Sequence, residues 1–177
     1  SIRGSKDVLD EAVSKGYKFI KLDFGWSANN LIVKNLIKMN IKDLAAWLQG
    51  HKDVCIVTDI KSKNTDALRF IKDNYPEMAN RVIPQIYNIE EYIPVQGFGY
   101  TNIILNLHDL AYLDGELVDF IKRHKVFAVT LPTKKINTGL IEKLKQEYIY
   151  IYMQGNYDII EELEEYSVDG FYIDITE

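Results

Sequence analysis

The chain has 177 residues, enough to bury one substantial core, and its 47% hydrophobic and 27% charged residues are ordinary globular values that exclude a disordered chain. A formal net charge of -5 argues against a nucleic-acid partner, because binding a phosphate backbone needs clustered Lys and Arg in excess. No apolar run approaches the roughly 20 residues of a membrane span, and the opening SIRGSKDVLDEAV carries no apolar signal segment, so no membrane span and a cytoplasmic location are expected.

In chain order, Asp7 to Lys15 has amphipathic helical spacing, follows the competent N-cap Ser5, and ends at Gly16 before the strand-like run YKFIKLDF. The short run LIVKN follows, and then the same alternation repeats. LAAWLQGHK precedes VCIVTDI; ALRFIKDNYPEMAN, with Asn64 and Thr65 as N-cap candidates, precedes RVIPQIY; IEEYIPVQGFG precedes NIILNL; and ELVDFIKRHK precedes VFAVTL. GLIEKLKQEY, after a candidate cap at Asn137, precedes IYIYM, and IIEELEEY, after Asn156, precedes VDGFYIDI. The single cysteine, Cys55, lies in VCIVTDI; it has no partner for an internal disulfide, fits a reducing compartment, and reads as buried structural sulfur. Three scattered histidines and one cysteine do not make a zinc site.

The seven short, β-branched, nearly continuous apolar runs separated by helices suit a parallel sheet covered on both faces. The absence of a Gly-rich phosphate turn after an early strand favours a TIM-type (β/α) barrel over an open doubly wound sheet. One α/β domain over residues 1–177 is expected. A complete barrel takes about 250 residues, so this barrel is expected to be incomplete at its N-terminus, with a strand missing or lying in a segment before Ser1. The unpaired edges would suit a homodimer or an upstream domain.

In such a barrel the chemistry sits at the C-terminal ends of the strands. The first ends Lys21-Leu22-Asp23, whose alternation turns Lys21 and Asp23 to one side, and the second ends Asp59-Ile60-Lys61 in the same way. The third offers Gln85 and Tyr87, the fourth Asn106 and His108, the sixth Tyr152 and Gln154, and the last Asp174. Charges in an otherwise apolar strand must pair, bind an ion or face water. Asp23 and Asp59 could therefore hold a divalent cation beside a lysine that meets a phosphate oxygen, or the two Asp/Lys pairs could form a salt-bridged ladder at the rim. Tyr148, Tyr150 and Tyr152 alternate onto one face; they suit core filling, with Tyr152 best placed to line a ligand pocket.

At these residues the sequence resembles the glycerophosphodiester phosphodiesterase family, within the phosphatidylinositol-phospholipase-C-like phosphodiesterase barrels. SKDVLDEAVSKGYKFIKLDF resembles the family's early helix and strand ending in Glu-x-Asp, and IVTDIK its next strand, with a carboxylate two before a lysine. RVIPQIYN is similar to a bacterial subgroup, and YIYIYMQGNYDIIEELEEYSVDGFYIDIT to the family's closing strand, Asn-containing loop, helix and final strand. The resemblance implies a metal held by three carboxylates, Ca2+ or Mg2+ in an active member, and two histidines as general acid and base. On that pattern Asp23 is the second carboxylate of Glu-x-Asp, Asp59 the later acidic ligand and Lys61 its lysine partner.

The departures from that pattern fall on the chemistry. Lys21 stands where the first metal-binding glutamate belongs, Lys34-Asn35 where the family has His-Asp, and the opening His-Arg-Gly falls on or before Ile2-Arg3-Gly4. An ammonium in place of a ligand carboxylate changes the local charge by two units and should abolish metal affinity. Loss of both histidines forfeits about 10²- to 10⁴-fold for each positioned proton-transfer group. His108 and Lys61 are the remaining catalytic candidates; His51 and His124 read as surface residues. The expected function is a phosphodiesterase-like domain with a degenerate site and no cofactor. It would bind a phosphate- or glycan-bearing ligand through Lys21, Asp23, Asp59, Lys61, Gln85, Tyr87, Asn106, Tyr152 and Asp174, or support a neighbouring domain. The alternative is an active metal-dependent phosphodiesterase completed by residues upstream.

Overall fold

A computed structural model describes residues 5–34, 36, 39–108, 114–133, 139–154 and 168–172. Asn35, the caps expected at Asn137 and Asn156, the helix expected over 159–166, the residues 2–4 and Asp174 lie outside them. The chain divides into two compact units, Ser1–Gln85 with Pro94–Tyr100, and Ile86–Ile93 with Thr101–Glu177.

The first unit opens with α1 (Ser5–Ser14), which buries Leu9 and Ala12 and closes at Gly16, whose φ of +86° suits a residue without a Cβ. Next come β1 (Phe19–Ser27), β2 (Asn30–Val33), α2 (Ile41–Gly50), β3 (Cys55–Ile60), α3 (Asn64–Asn74), the short α4 (Pro76–Ala79) and β4 (Val82–Ile83). Their sheet has the order β2-β1-β3-β4, with β1, β3 and β4 parallel and β2 antiparallel to β1. Leu44, Trp47 and Leu48 of α2 and Ala67, Leu68 and Ile71 of α3 are buried, as are Ile56, Val57 and Ile60 of β3. The Trp47 indole inside this core satisfies its one donor on Asp10 Oδ1 at 2.7 Å.

At three points the chain departs from its sequence pattern. The first strand does not end at Asp23 but runs four residues further, because Asn30–Val33 folds back on it as a hairpin with Phe24 opposite Val33. RVIPQIY is two strands, β4 and β5 (Gln85–Ile86), because Pro84 has no N–H to give a ladder. Asn64 is not an N-cap: Lys63, at φ +50°, takes that position, and Asn64 is the buried first residue of α3. Its Nδ2 donates to the Gln85 carbonyl at 3.0 Å, while Thr58 Oγ1 accepts from Gln85 N at 3.2 Å. Among the described residues, Asn40 caps on Asp43 N and Asn88 on Glu91 N.

The second unit contains α5 (Tyr92–Gly97) only in its first residues, then β6 (Ile104–Asn106), α6 (Asp114–His124), β7 (Ala128–Leu131), α7 (Leu140–Gln146), β8 (Tyr150–Gln154) and β9 (Gly170–Tyr172). The sheet order is β5-β6-β7-β8-β9, and the pairs from β6 to β9 are parallel. Leu117, Phe120 and Ile121 of α6 and Leu140, Ile141 and Leu144 of α7 are buried. Asp169 fixes the entry to β9: its Oδ2 accepts from Ile151 N at 2.8 Å and from Lys145 Nζ at 2.7 Å.

Replacing Asn64 by Ala leaves the Gln85 carbonyl without that buried donor. The expected loss is about 1–3 kcal/mol with an unaltered denaturant slope, read by urea unfolding; an unmoved midpoint would show that the bond contributes nothing.

Candidate anion site

The site is built on the parallel pairing of β1 with β3, in which Lys21 lies opposite Val57 and Asp23 opposite Asp59. Residues paired in register project to the same side of a sheet, and neighbouring strands lie about 4.8 Å apart, so the two carboxylates are forced together. Asp59 is only 6% exposed. An ionised carboxylate there needs close positive partners, and it has two: Lys21 Nζ is 3.0 Å from Oδ2, and Lys61 Nζ is 3.0 Å from Oδ1. The lysines are not equivalent, because the Lys21 side chain is 19% exposed and the Lys61 side chain 68%.

Asp23 is exposed at its surface. The neighbouring strands nevertheless strip enough water from it to hold its carboxyl above the usual range, and the negative charge of Asp59 adds to this, against the opposing pull of Lys21, Lys61 and Lys34. Lys34 reaches the group through the hairpin. Its N–H donates to the Asp23 carbonyl at 2.7 Å, and its side chain lies across Gly25, where a Cβ would overlap Lys34 Cε and stand 2.8 Å from Nζ. Three ammoniums thus attend two carboxylates.

Of the residues expected at the site, the structure brings Lys21, Asp23, Asp59 and Lys61 together. Gln85 is fully buried, and its backbone is bonded to the Thr58 and Asn64 side chains. Tyr87, Asn106, His108 and Tyr152 belong to the second unit. Tyr87 is half-buried and its N–H donates to Glu91 Oε2; Asn106 is buried, and its Oδ1 accepts from His108 N at 2.9 Å. The Tyr152 ring packs 5.8 Å from that of Tyr172 and over Gly170; burial, then the charges of Asp169 and Tyr150, push its hydroxyl pKa up. Lys34 is the member that residue-level reading did not assign. Its signal is the apolar run Leu31-Ile32-Val33 ahead of it, too short to declare itself a strand. A surface cleft of about 360 Å³, lined by residues such as Lys122, Phe127, Tyr148 and Tyr150 of the second unit, shares no residue with this cluster.

A divalent cation does not fit this donor set. Both oxygens of Asp59 are engaged by ammoniums, and among the described residues no three His, Cys, Asp or Glu side chains are grouped to hold a metal.

The chain has the fold of solved glycerophosphodiester phosphodiesterases. It matches that of Agrobacterium tumefaciens over 97% of its own length and 94% of the other chain, with a TM-score of 0.66 and 14% identity. A protein from Silicibacter pomeroyi assigned as a glycerophosphoryl diester phosphodiesterase matches over 93% and 82%, with a TM-score of 0.73 and 9% identity. KGPDC from Streptococcus mutans matches over 97% and 82%, with a TM-score of 0.59 and 11% identity. The α/β, TIM-type barrel class expected from the sequence is the class of these neighbours. No family model matches the sequence, and no curated protein does.

Two substitutions test the electrostatics. Asp59→Ala leaves Lys21 partly buried without its acceptor and should cost on the order of 2–3 kcal/mol, below a fully buried pair because Lys61 stays solvated. Asp23→Asn should act in the opposite direction. An acid whose pKa is raised by folding opposes folding above that pKa and is relieved as pH falls through it. The variant should therefore be more stable than the parent at neutral pH, with the difference shrinking toward acid; a difference independent of pH in thermal melts from pH 3 to 7 would overturn this.

Proposed function

We propose that the chain is a phosphodiesterase-like domain whose metal and acid–base site is degenerate, and that it binds a phosphate-bearing anion at the β1–β3 strand ends without hydrolysing it. One observation carries this reading: a buried Asp59 clamped by Lys21 and Lys61, with Lys34 beside Asp23, leaves an excess of positive charge where the expected chemistry would need a carboxylate-bound cation. Lys61 and Lys34 are exposed and can turn donors to phosphate oxygens, while Asp23 can accept from a hydroxyl of the same ligand. Such a site suits a small phosphoester, and an attached glycan or glycerol would supply the hydroxyl.

Lys61→Ala should weaken binding of glycerol 3-phosphate or a soluble glycerophosphodiester by about tenfold to a hundredfold, the loss of one charge-assisted hydrogen bond, as read by calorimetric titration. The same diester, incubated with the unaltered chain and calcium or magnesium, should show no turnover. Metal-dependent hydrolysis would sink the degenerate-site reading, and absence of binding would sink the anion site.

A further inference from the structure

Asp59 holds two ammoniums, one on each oxygen, and they are unequally placed. Lys61 follows the end of β3 and stands mostly in water. Lys21 comes from within β1, one strand over and two residues before Asp23, and most of its side chain is enclosed. A lysine seldom gives up this much hydration. Lys21 does so at a position where it neutralises a buried carboxylate and also lowers the proton affinity of the neighbouring one. That combination, a fixed positive charge next to two carboxylates in register, is the electrostatic service that a bound divalent ion gives elsewhere.

We propose that the Lys21 ammonium is the resident cation of the Asp23–Asp59 pair, tethered by its own side chain, and that it makes the site indifferent to calcium and magnesium. The inference rests on the altered-site reading above but not on any ligand. Because the cation is covalently part of β1, its occupancy does not vary with ion supply. Shortening the side chain should unmask the pair: Lys21→Ala leaves a space beside Asp23 and Asp59 that small cations can enter, and Lys21→Glu adds a third carboxylate.

The experiment uses the full chain and its two variants, with thermal melts and calorimetric titrations at fixed ionic strength. Calcium or magnesium at about 10 mM should leave the melting temperature of the unaltered chain where it is and should raise that of Lys21→Glu by about 5 °C or more, the shift for a ligand near a hundred times its Kd. Lys21→Ala should melt lower than the parent and recover in part with methylammonium chloride, relative to sodium chloride at equal strength. Equal divalent affinity for the unaltered chain and Lys21→Glu would overturn the proposal. So would a folded Lys21→Glu that ignores both ions. Should Lys21→Glu fail to fold, the alkylammonium response of Lys21→Ala decides: recovery supports the tethered cation and no recovery overturns it. Phosphate affinity of the unaltered chain is a separate readout, so loss of the anion-binding reading would leave these outcomes standing.

Discussion

The first unit depends on one carboxylate, Asp59, held in a parallel strand pair between two ammoniums. An ionised group with so little water around it is tolerable only while both partners are in place, so strand register and local charge are one constraint. A slip of β1 by a single residue would turn Lys21 and Asp23 to the opposite face and leave Asp59 without its enclosed counter-charge. The apolar neighbours enforce the same register: Ile20, Leu22 and Phe24 are buried by the alternation that presents Lys21 and Asp23 on the other side.

This separation of tasks explains how a fold persists while its sequence changes. Buried residues such as Ile56, Val57, Leu68 and Ile71 need only be apolar and of suitable volume, so structures that share 9–14% of their residues with this chain still superimpose over most of it. The strand ends carry no such requirement. The ammonium at position 21 is accommodated because the neighbouring Asp59 meets it by geometry. Likeness at this level of identity carries the architecture and not an activity.

The alternation of helix and strand was legible because each element is long enough to show its period, and the pairs Lys21/Asp23 and Asp59/Lys61 stood out as charges in apolar strands. Their convergence followed from the two-residue repeat of a strand and needed no tertiary information. Other features were silent. The four-residue β2 is too brief for alternation to register, so the sequence pattern shows neither the continuation of β1 past Asp23 nor the place of Lys34. Asn64 has the chemistry of a cap, but tertiary contact with Gln85 claims its amide, and Lys63 adopts the left-handed backbone instead. Gln85 is a polar residue at a strand end, a place that usually meets solvent, yet tertiary hydrogen bonds to Thr58 and Asn64 hold it in full burial.

Gly25 shows how a residue without a functional group can govern charge. The methylene chain of Lys34 rests against the bare backbone of β1 at this point, and any larger residue would lever it away from the strand. The third ammonium of the cluster is thus admitted by a missing methyl group, and the reach of positive potential along the hairpin is set by steric vacancy instead of by acidity or basicity at that position.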